Sequence, residues 1–268
     1  MPQKYLRRDG VPLLLRYSGR TTLPQDPPEP GDGPPILCLH DAGLQSSVWK
    51  DLFATLGPTS GVLAFDLPGH GRSGSLDALP SIPEMADAAR WVAAECRAER
   101  PVLVGHGMGA LVALEWARSH PDTLRGLVLC GVGLTLGIDD EAIETMRRVT
   151  RGKAPRPFDP ARVAREGGPD LVKRAYMEGI QTDPRATLVD LEASRSWADA
   201  FVANGGIETP IRIACGASES DDARARAEAL ATSLASATFV EIDGAAHFLP
   251  IEKPEALARE IGLIAEAS

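Results

Sequence analysis

Long apolar runs are missing from this 268-residue chain. No stretch approaches the roughly 18–20 apolar residues that a membrane-spanning helix needs, so no membrane partner is expected. Basic charge is also short. The 28 Lys and Arg residues face 37 Asp and Glu, for a net charge of −9. Neutralising phosphates needs clustered cations, so no nucleic-acid partner is expected, and the acidity reads as solubility. Cysteine is scarce: Cys38, Cys96, Cys130 and Cys215, with no CxxC pair. Three of the four lie in apolar, strand-like runs, which suits buried free thiols in a reducing compartment. The opening MPQKYLRRDG has no apolar signal core. The expected location is therefore cytoplasmic. No metal-ligand spacing and no glycine-rich phosphate loop occurs, so neither a metal nor a cofactor is expected. The expected partner is a small-molecule substrate, and no sequence feature speaks to oligomeric state.

What is present is a rhythm. Tyr5–Arg8 and Val11–Ser18 flank Asp9-Gly10, a two-residue hairpin signal. A proline-rich loop follows. Then short apolar runs alternate with helical patterns. The runs are Ile36–Leu39, Val62–Phe65, Val102–Val104, Leu127–Leu129, Ile211–Ala214 and Thr238–Ile242. The helical stretches are Trp49–Leu56, Pro83–Ala98, Met108–Ser119, Asp222–Leu234 and Pro254–Ala267. Near-continuous Val/Ile/Leu runs suit parallel strands covered on both faces, and strand–helix alternation predicts a doubly wound α/β sheet. From Leu134 to about Gly206 no strand pattern appears, and prolines interrupt a charged, helix-prone segment. About 70 residues is too long for a loop in a compact domain. The expected organisation is a core of residues 1–133 and 206–268 with a helical cap at 134–205. Leu134, Leu136, Ile138, Ile143, Met146, Tyr176, Met177, Ile180, Trp197 and Phe201 are its apolar candidates for lining a pocket.

Ligands of open α/β sheets bind beyond the carboxyl ends of the strands. Those ends carry His40-Asp41-Ala42-Gly43, Asp66 to Ser73 around His70, Gly105-His106-Gly107-Met108-Gly109, Gly216 to Asp222, and Gly244-Ala245-Ala246-His247-Phe248. This ordered set resembles the α/β-hydrolase superfamily over nearly the whole chain. The resemblance implies the α/β-hydrolase fold and a set of roles. His247 matches the catalytic histidine, a base near neutral pH that needs a carboxylate on its other nitrogen. Glu219 matches the acid, with Asp221 as the alternative. The oxyanion hole would use the backbone N–H groups of Ala42 and Met108. His40 and Asp41 adjoin that hole. Relatives usually have His-Gly where this chain has His40-Asp41, and Asp41 reads as either a turn former or a polar participant.

The nucleophile is the absence that matters most. Gly107 stands at the centre of the elbow, where the family carries its serine. Glycine adopts the strained elbow backbone without cost, so the turn is kept and the nucleophile deleted. Acyl-enzyme chemistry is thereby excluded. Three readings stay open. One is an enzyme using a His247–acid dyad as general base on a small, moderately hydrophobic carbonyl or ester-type substrate. Hydrolysis, carbon–carbon cleavage and oxygenation without a cofactor all fit it. Another is an ester, lactone or carbon–carbon hydrolase whose serine has been replaced. The third is a non-catalytic ligand-binding member of the family.

Overall fold

The computed structural model describes residues 1–75, 77–133, 135–200 and 207–266. The chain opens with a hairpin of β1 (Gln3–Arg8) and β2 (Val11–Tyr17), closed by an Arg8–Val11 pairing. Asp9 and Gly10 both have positive φ, 50° and 83°. The tight turn between right-twisted strands demands this, and Asp-Gly supplies it. Strand β2 then pairs antiparallel with β4 (Val62–Phe65). The remaining pairings between these strands are parallel. They join β3 (Ile36–Leu39), β5 (Val102–His106), β6 (Gly126–Cys130), β7 (Ile211–Gly216) and β8 (Ala237–Ile242) into one eight-stranded sheet of order β1-β2-β4-β3-β5-β6-β7-β8.

The apolar runs fail to alternate because both faces of the sheet are covered. Leu37 and Leu39 of β3 enter one core with α2 (Ile82–Glu95) and α3 (Met108–Ser119). Ile36 and Cys38 of the same strand enter a second core with α1 (Lys50–Leu56) and α9 (Pro254–Glu266). The start of α2 is set locally. Ser81 Oγ caps the helix by accepting the Glu84 N–H, and its hydroxyl donates to the Glu84 carboxylate.

Between β6 and β7 the described residues hold α4 (Asp140–Thr150), α5 (Gly168–Gly179) and α6 (Pro184–Ala200), and no strand. Helix α4 packs on α6, and α6 packs on α2 and α3 of the core. Trp197 of α6 donates its indole N–H to Glu115 of α3 at 2.8 Å. Of the apolar candidates, Leu134 and Phe201 lie outside the described residues, as does the boundary at Gly206. Tyr176, Met177 and Ile180 turn out to be exposed, on the solvent side of α5 and at its end. A run of apolar letters in a short amphipathic helix does not say which side the core lies on.

The sheet order places the site. From β3 the chain steps to β4 on one side and later to β5 on the other. The strand ends of β3 and β5 therefore open a crevice where the winding reverses. Asp41 follows β3 and Gly107 follows β5.

Candidate active site

Strand β5 ends at His106 and α3 begins at Met108, leaving Gly107 as the entire connection. Its φ of 52° and ψ of −116° are angles that residues with a side chain reach only under strain. The elbow geometry is therefore present. A second constraint was not visible in the motif. A Cβ built on Gly107 would fall inside the carboxylate of Asp41. A side chain at 107 and the present position of Asp41 exclude one another.

Asp41 reaches this position from the loop after β3. Its Oδ1 accepts the N–H of Ala42 at 2.7 Å and the N–H of Met108 at 2.8 Å. These are the two donors that the sequence assigned to a substrate oxyanion. In the structure they hold a carboxylate of the chain itself. Asp41 opens a turn, its carbonyl accepting the Leu44 N–H at 3.0 Å, and its side chain also bridges two loops. The other oxygen, Oδ2, lies 3.3 Å from His247 Nε2 and 4.0 Å from an Arg162 guanidinium nitrogen. Burial works against the Asp41 charge, but the hydrogen bond from His247 and the positive groups nearby outweigh it. The carboxyl is held well below the usual carboxylate range.

His247 sits on the loop between β8 and α8 (Leu249–Glu252), its own N–H donated to the Arg162 carbonyl at 3.0 Å. Its Nδ1 lies 3.3 Å from Glu219 Oε2. Glu219 follows β7 in a turn closed by its N–H to the Gly216 carbonyl. Burial opposes ionisation of Glu219 too, yet the hydrogen bond with His247 carries its pKa below the ordinary value. Asp221, the alternative acid, is the exposed first residue of α7 (Asp221–Ser233) and makes no contact with His247 among the described interactions. Both ring nitrogens of His247 thus face carboxylate oxygens, which only accept.

His40 is misplaced as a substrate-binding residue. It is buried, its Nδ1 donates to the Asp41 carbonyl at 2.9 Å and its Nε2 accepts the Leu67 N–H at 3.3 Å. This pattern fixes the neutral ring, and burial lowers its pKa to about 4. His106 is likewise buried and neutral, its pKa lowered to about 3, and its Nε2 donates to the His247 carbonyl at 3.0 Å. Asp41, His106 and His247 each bring one ligand-type atom within 4.8 Å of the others, so among the described residues these three could hold a metal. Sequence spacing could not show this, because they come from three separate loops.

Sequence reasoning missed two residues. Arg162, between α4 and α5, faces Asp41 and stacks over Phe248 at 5.5 Å. Asp190 of α6 is fully buried, and its Oδ2 accepts both the Gly43 N–H at 2.8 Å and His70 Nε2 at 2.7 Å. It ties the inserted helices to the Asp41 loop. Both residues lie in a segment without a motif, so no local signal marked them.

Asp41, Gly107, Glu219 and His247 line a cavity of about 940 Å³ between the strand ends and the inserted helices. Leu136, Ile138 and Met146 of the apolar candidates line it with Phe158 and Phe248, whereas Ile143 and Trp197 are buried elsewhere. The four cysteines are buried and free, and burial pushes the Cys38 and Cys130 thiols far up. They are no substitute for the elbow nucleophile.

Residues 36–260 match the model of the alpha/beta hydrolase family. A 93-residue stretch is 36% identical to the pimeloyl-[acyl-carrier protein] methyl ester esterase of Yersinia enterocolitica, covering 35% of this chain and 34% of that one. The chain thus spans about a third of the length of this curated relative. Among solved structures, a thermophilic esterase from Thermogutta terrifontis aligns with a TM-score of 0.82 at 22% identity, covering 100% of this chain and 99% of that one. The enol-lactonase from Burkholderia xenovorans aligns with a TM-score of 0.77 at 20% identity, covering 98% and 99%. The family match takes in all the parallel strands and the loops bearing Asp41, Gly107, Glu219 and His247. The chain belongs to the alpha/beta hydrolase family, with the carboxylate of Asp41 lying where its elbow lacks a side chain.

Proposed function

We propose that this protein is a hydrolase of small, moderately hydrophobic, ester-type substrates in which water, activated by His247, attacks a carbonyl carbon. No serine acyl-enzyme forms. The carrying observation is the Glu219–His247 pair, with Nδ1 on the acid and Nε2 3.3 Å from Asp41 Oδ2 in the cavity that Gly107 also lines. Glu219 orients the ring and stabilises its charged form as the proton leaves water. The inserted helices act as a cap that closes the cavity, and its apolar lining selects the substrate. The relatives named above, an esterase and an enol-lactonase, hydrolyse bonds of this class by their names. The reading of a serine hydrolase with its serine replaced is less well supported, because a serine at 107 would collide with Asp41. The reading as a pure binder leaves the Glu219–His247 pairing without a purpose.

The test is hydrolysis of p-nitrophenyl butyrate, whose leaving group is good enough to report water activation by itself. Wild type is expected to turn it over without a burst. His247→Gln is expected to lose about 10²–10⁴-fold in kcat, the usual contribution of a general base. Equal rates for the two proteins would overturn the reading.

A further inference from the structure

A carbonyl attacked by water needs donors for the oxygen that becomes charged. The backbone donors of this site, the N–H groups of Ala42 and Met108, already hold Oδ1 of Asp41 at 2.7 and 2.8 Å. The site also carries two carboxylates, Asp41 and Glu219, one on each ring nitrogen of His247. A further negative charge beside them is unfavourable unless a cation faces it. Three arginines line the cavity. The Arg156 guanidinium donates to the Thr182 carbonyl and the Thr187 hydroxyl, and that of Arg226 to the Asp222 carboxylate. The Arg162 guanidinium donates no hydrogen bond among the described interactions. One of its nitrogens lies 4.0 Å from Asp41 Oδ2, and its carbon lies 5.5 Å from the centre of the Phe248 ring. We propose that Arg162 is the electrophile of this site: its N–H groups hold the oxyanion formed during ester hydrolysis, in place of the occupied backbone pair. The inference rests on the function proposed above, since the charge it places is the one that His247-activated water creates.

The fold sets Arg162 against the base. The residue closes a helical turn, Pro160–Arg162, that Asp159 caps by accepting the Ala161 N–H at 2.9 Å. Its carbonyl accepts the N–H of His247 at 3.0 Å. Glu252 ties the same two segments a second time, accepting the Ala164 N–H at 2.6 Å and the Ala246 N–H at 3.1 Å. The backbones that carry guanidinium and imidazole are thus joined before substrate arrives, which lowers the cost of orienting them. Phe248, the residue after His247, supports the guanidinium with its ring. His247 Nε2 lies 3.3 Å from Asp41 Oδ2, and Arg162 lies 4.0 Å from the same atom. A carbonyl whose carbon meets water at Nε2 therefore has its oxygen within reach of Arg162. The guanidinium stays charged at any working pH and presents its donors in one plane. Its charge already acts on the site: burial opposes ionisation of Asp41 and Glu219, His247 favours it, and Arg162 adds to that side.

Water adds its oxygen to the carbonyl carbon as one of its protons passes to Nε2 of His247. The electron pair of the carbon–oxygen double bond moves onto the carbonyl oxygen, where Arg162 donates to it. Collapse restores the double bond and breaks the bond to the alkoxy group, and the alcohol leaves with the proton from His247. Ester plus water gives acid plus alcohol, and Arg162 keeps its protons throughout.

The experiment uses p-nitrophenyl butyrate as substrate and methyl propylphosphonate as inhibitor, a stable monoanion whose tetrahedral phosphorus copies the charged intermediate. Arg162→Met is expected to lower kcat about 10²–10³-fold, the usual effect of losing one oxyanion donor. KM should move much less, and the phosphonate should bind more weakly by about the same factor as kcat/KM falls. Arg162→Lys, which keeps the charge, should retain more activity than Arg162→Gln. Wild-type kcat in Arg162→Met would overturn the assignment, since Asp41 would then yield the backbone N–H pair to the substrate; a concurrent loss in His247→Gln would leave the proposed function standing. Lower kcat with phosphonate binding unchanged would also overturn it, because the side chain would then only shape the site. Should Arg162→Met melt well below wild type, equal rates in Arg162→Lys and Arg162→Gln would overturn it in turn. Equal hydrolysis by wild type and His247→Gln would overturn the proposed function and this assignment together.

Discussion

At the scale of single residues, positions 41 and 107 behave as one unit. Gly107 alone would suggest a lost nucleophile, and Asp41 alone a turn. Together they show a carboxylate occupying both the donor pair and the missing side chain's volume. Their coupling can be measured as a double-mutant cycle. Gly107→Ala carries backbone strain of about 1–3 kcal/mol at these angles, and the collision with Asp41 adds to it. In an Asp41→Gly background only the strain should remain, so the coupling energy is expected to exceed about 1 kcal/mol in chemical denaturation. Additive effects would mean that the carboxylate does not fill that space. Much of this site was legible in sequence. His247, Glu219, Met108 and Ala42 stand just past strand ends that the apolar runs marked, and the family resemblance suggested their roles. The use of the donors by Asp41 was not, because it depends on two loops 67 residues apart meeting at a side-chain oxygen. No local pattern encodes that distance.

At the scale of elements, α6 is tied to the loop after β4 by one buried pair, whose carboxylate also accepts the Gly43 N–H of the loop after β3. His70 Nδ1 faces the Pro68 carbonyl and Nε2 faces Asp190, two acceptors for one ring, so both nitrogens carry protons. Burial disfavours that charge, but the carboxylate of Asp190 outweighs it and raises the pKa of His70. Removing one partner strands the other. Asp190→Asn is expected to cost about 3–5 kcal/mol, and the amides of α6 should exchange faster with solvent. A loss under about 1 kcal/mol would show that the pair is not the anchor. The strands were readable because parallel, doubly covered strands leave continuous apolar runs. Each observed strand matches its run to within two residues at either end. The inserted helices were readable only as a helical segment. Their contacts with the core run through polar groups such as Asp190, which hydrophobic patterning does not register.

For the whole molecule, pH dependence follows from histidines buried without charge. His40 and His106 fall from 6.5 to about 4 and about 3. Between those values the unfolded chain binds their protons and the folded one does not. Acidification through that window therefore favours unfolding. The lowered carboxyls of Asp41 and Glu219 act in the same direction at lower pH, where the unfolded chain protonates first. His70 has the opposite sign: its contribution is full below 6.5 and fades as pH rises through its raised value. The melting temperature is expected to fall steadily from pH 6.5 to pH 4, with a shallower slope in His40→Gln. A flat profile would mean that the buried rings are charged or hydrated.

The central claim is that Asp41 occupies the place of the elbow nucleophile. Labelling by a serine-directed fluorophosphonate tests it most directly, in Gly107→Ser and in the double variant Asp41→Gly/Gly107→Ser. A serine at 107 needs open space and free Ala42 and Met108 N–H groups, and only the double variant provides them. The account predicts that the double variant labels, that His247→Gln abolishes this labelling, and that the single variant does not label. Equal labelling of the single and double variants would contradict it.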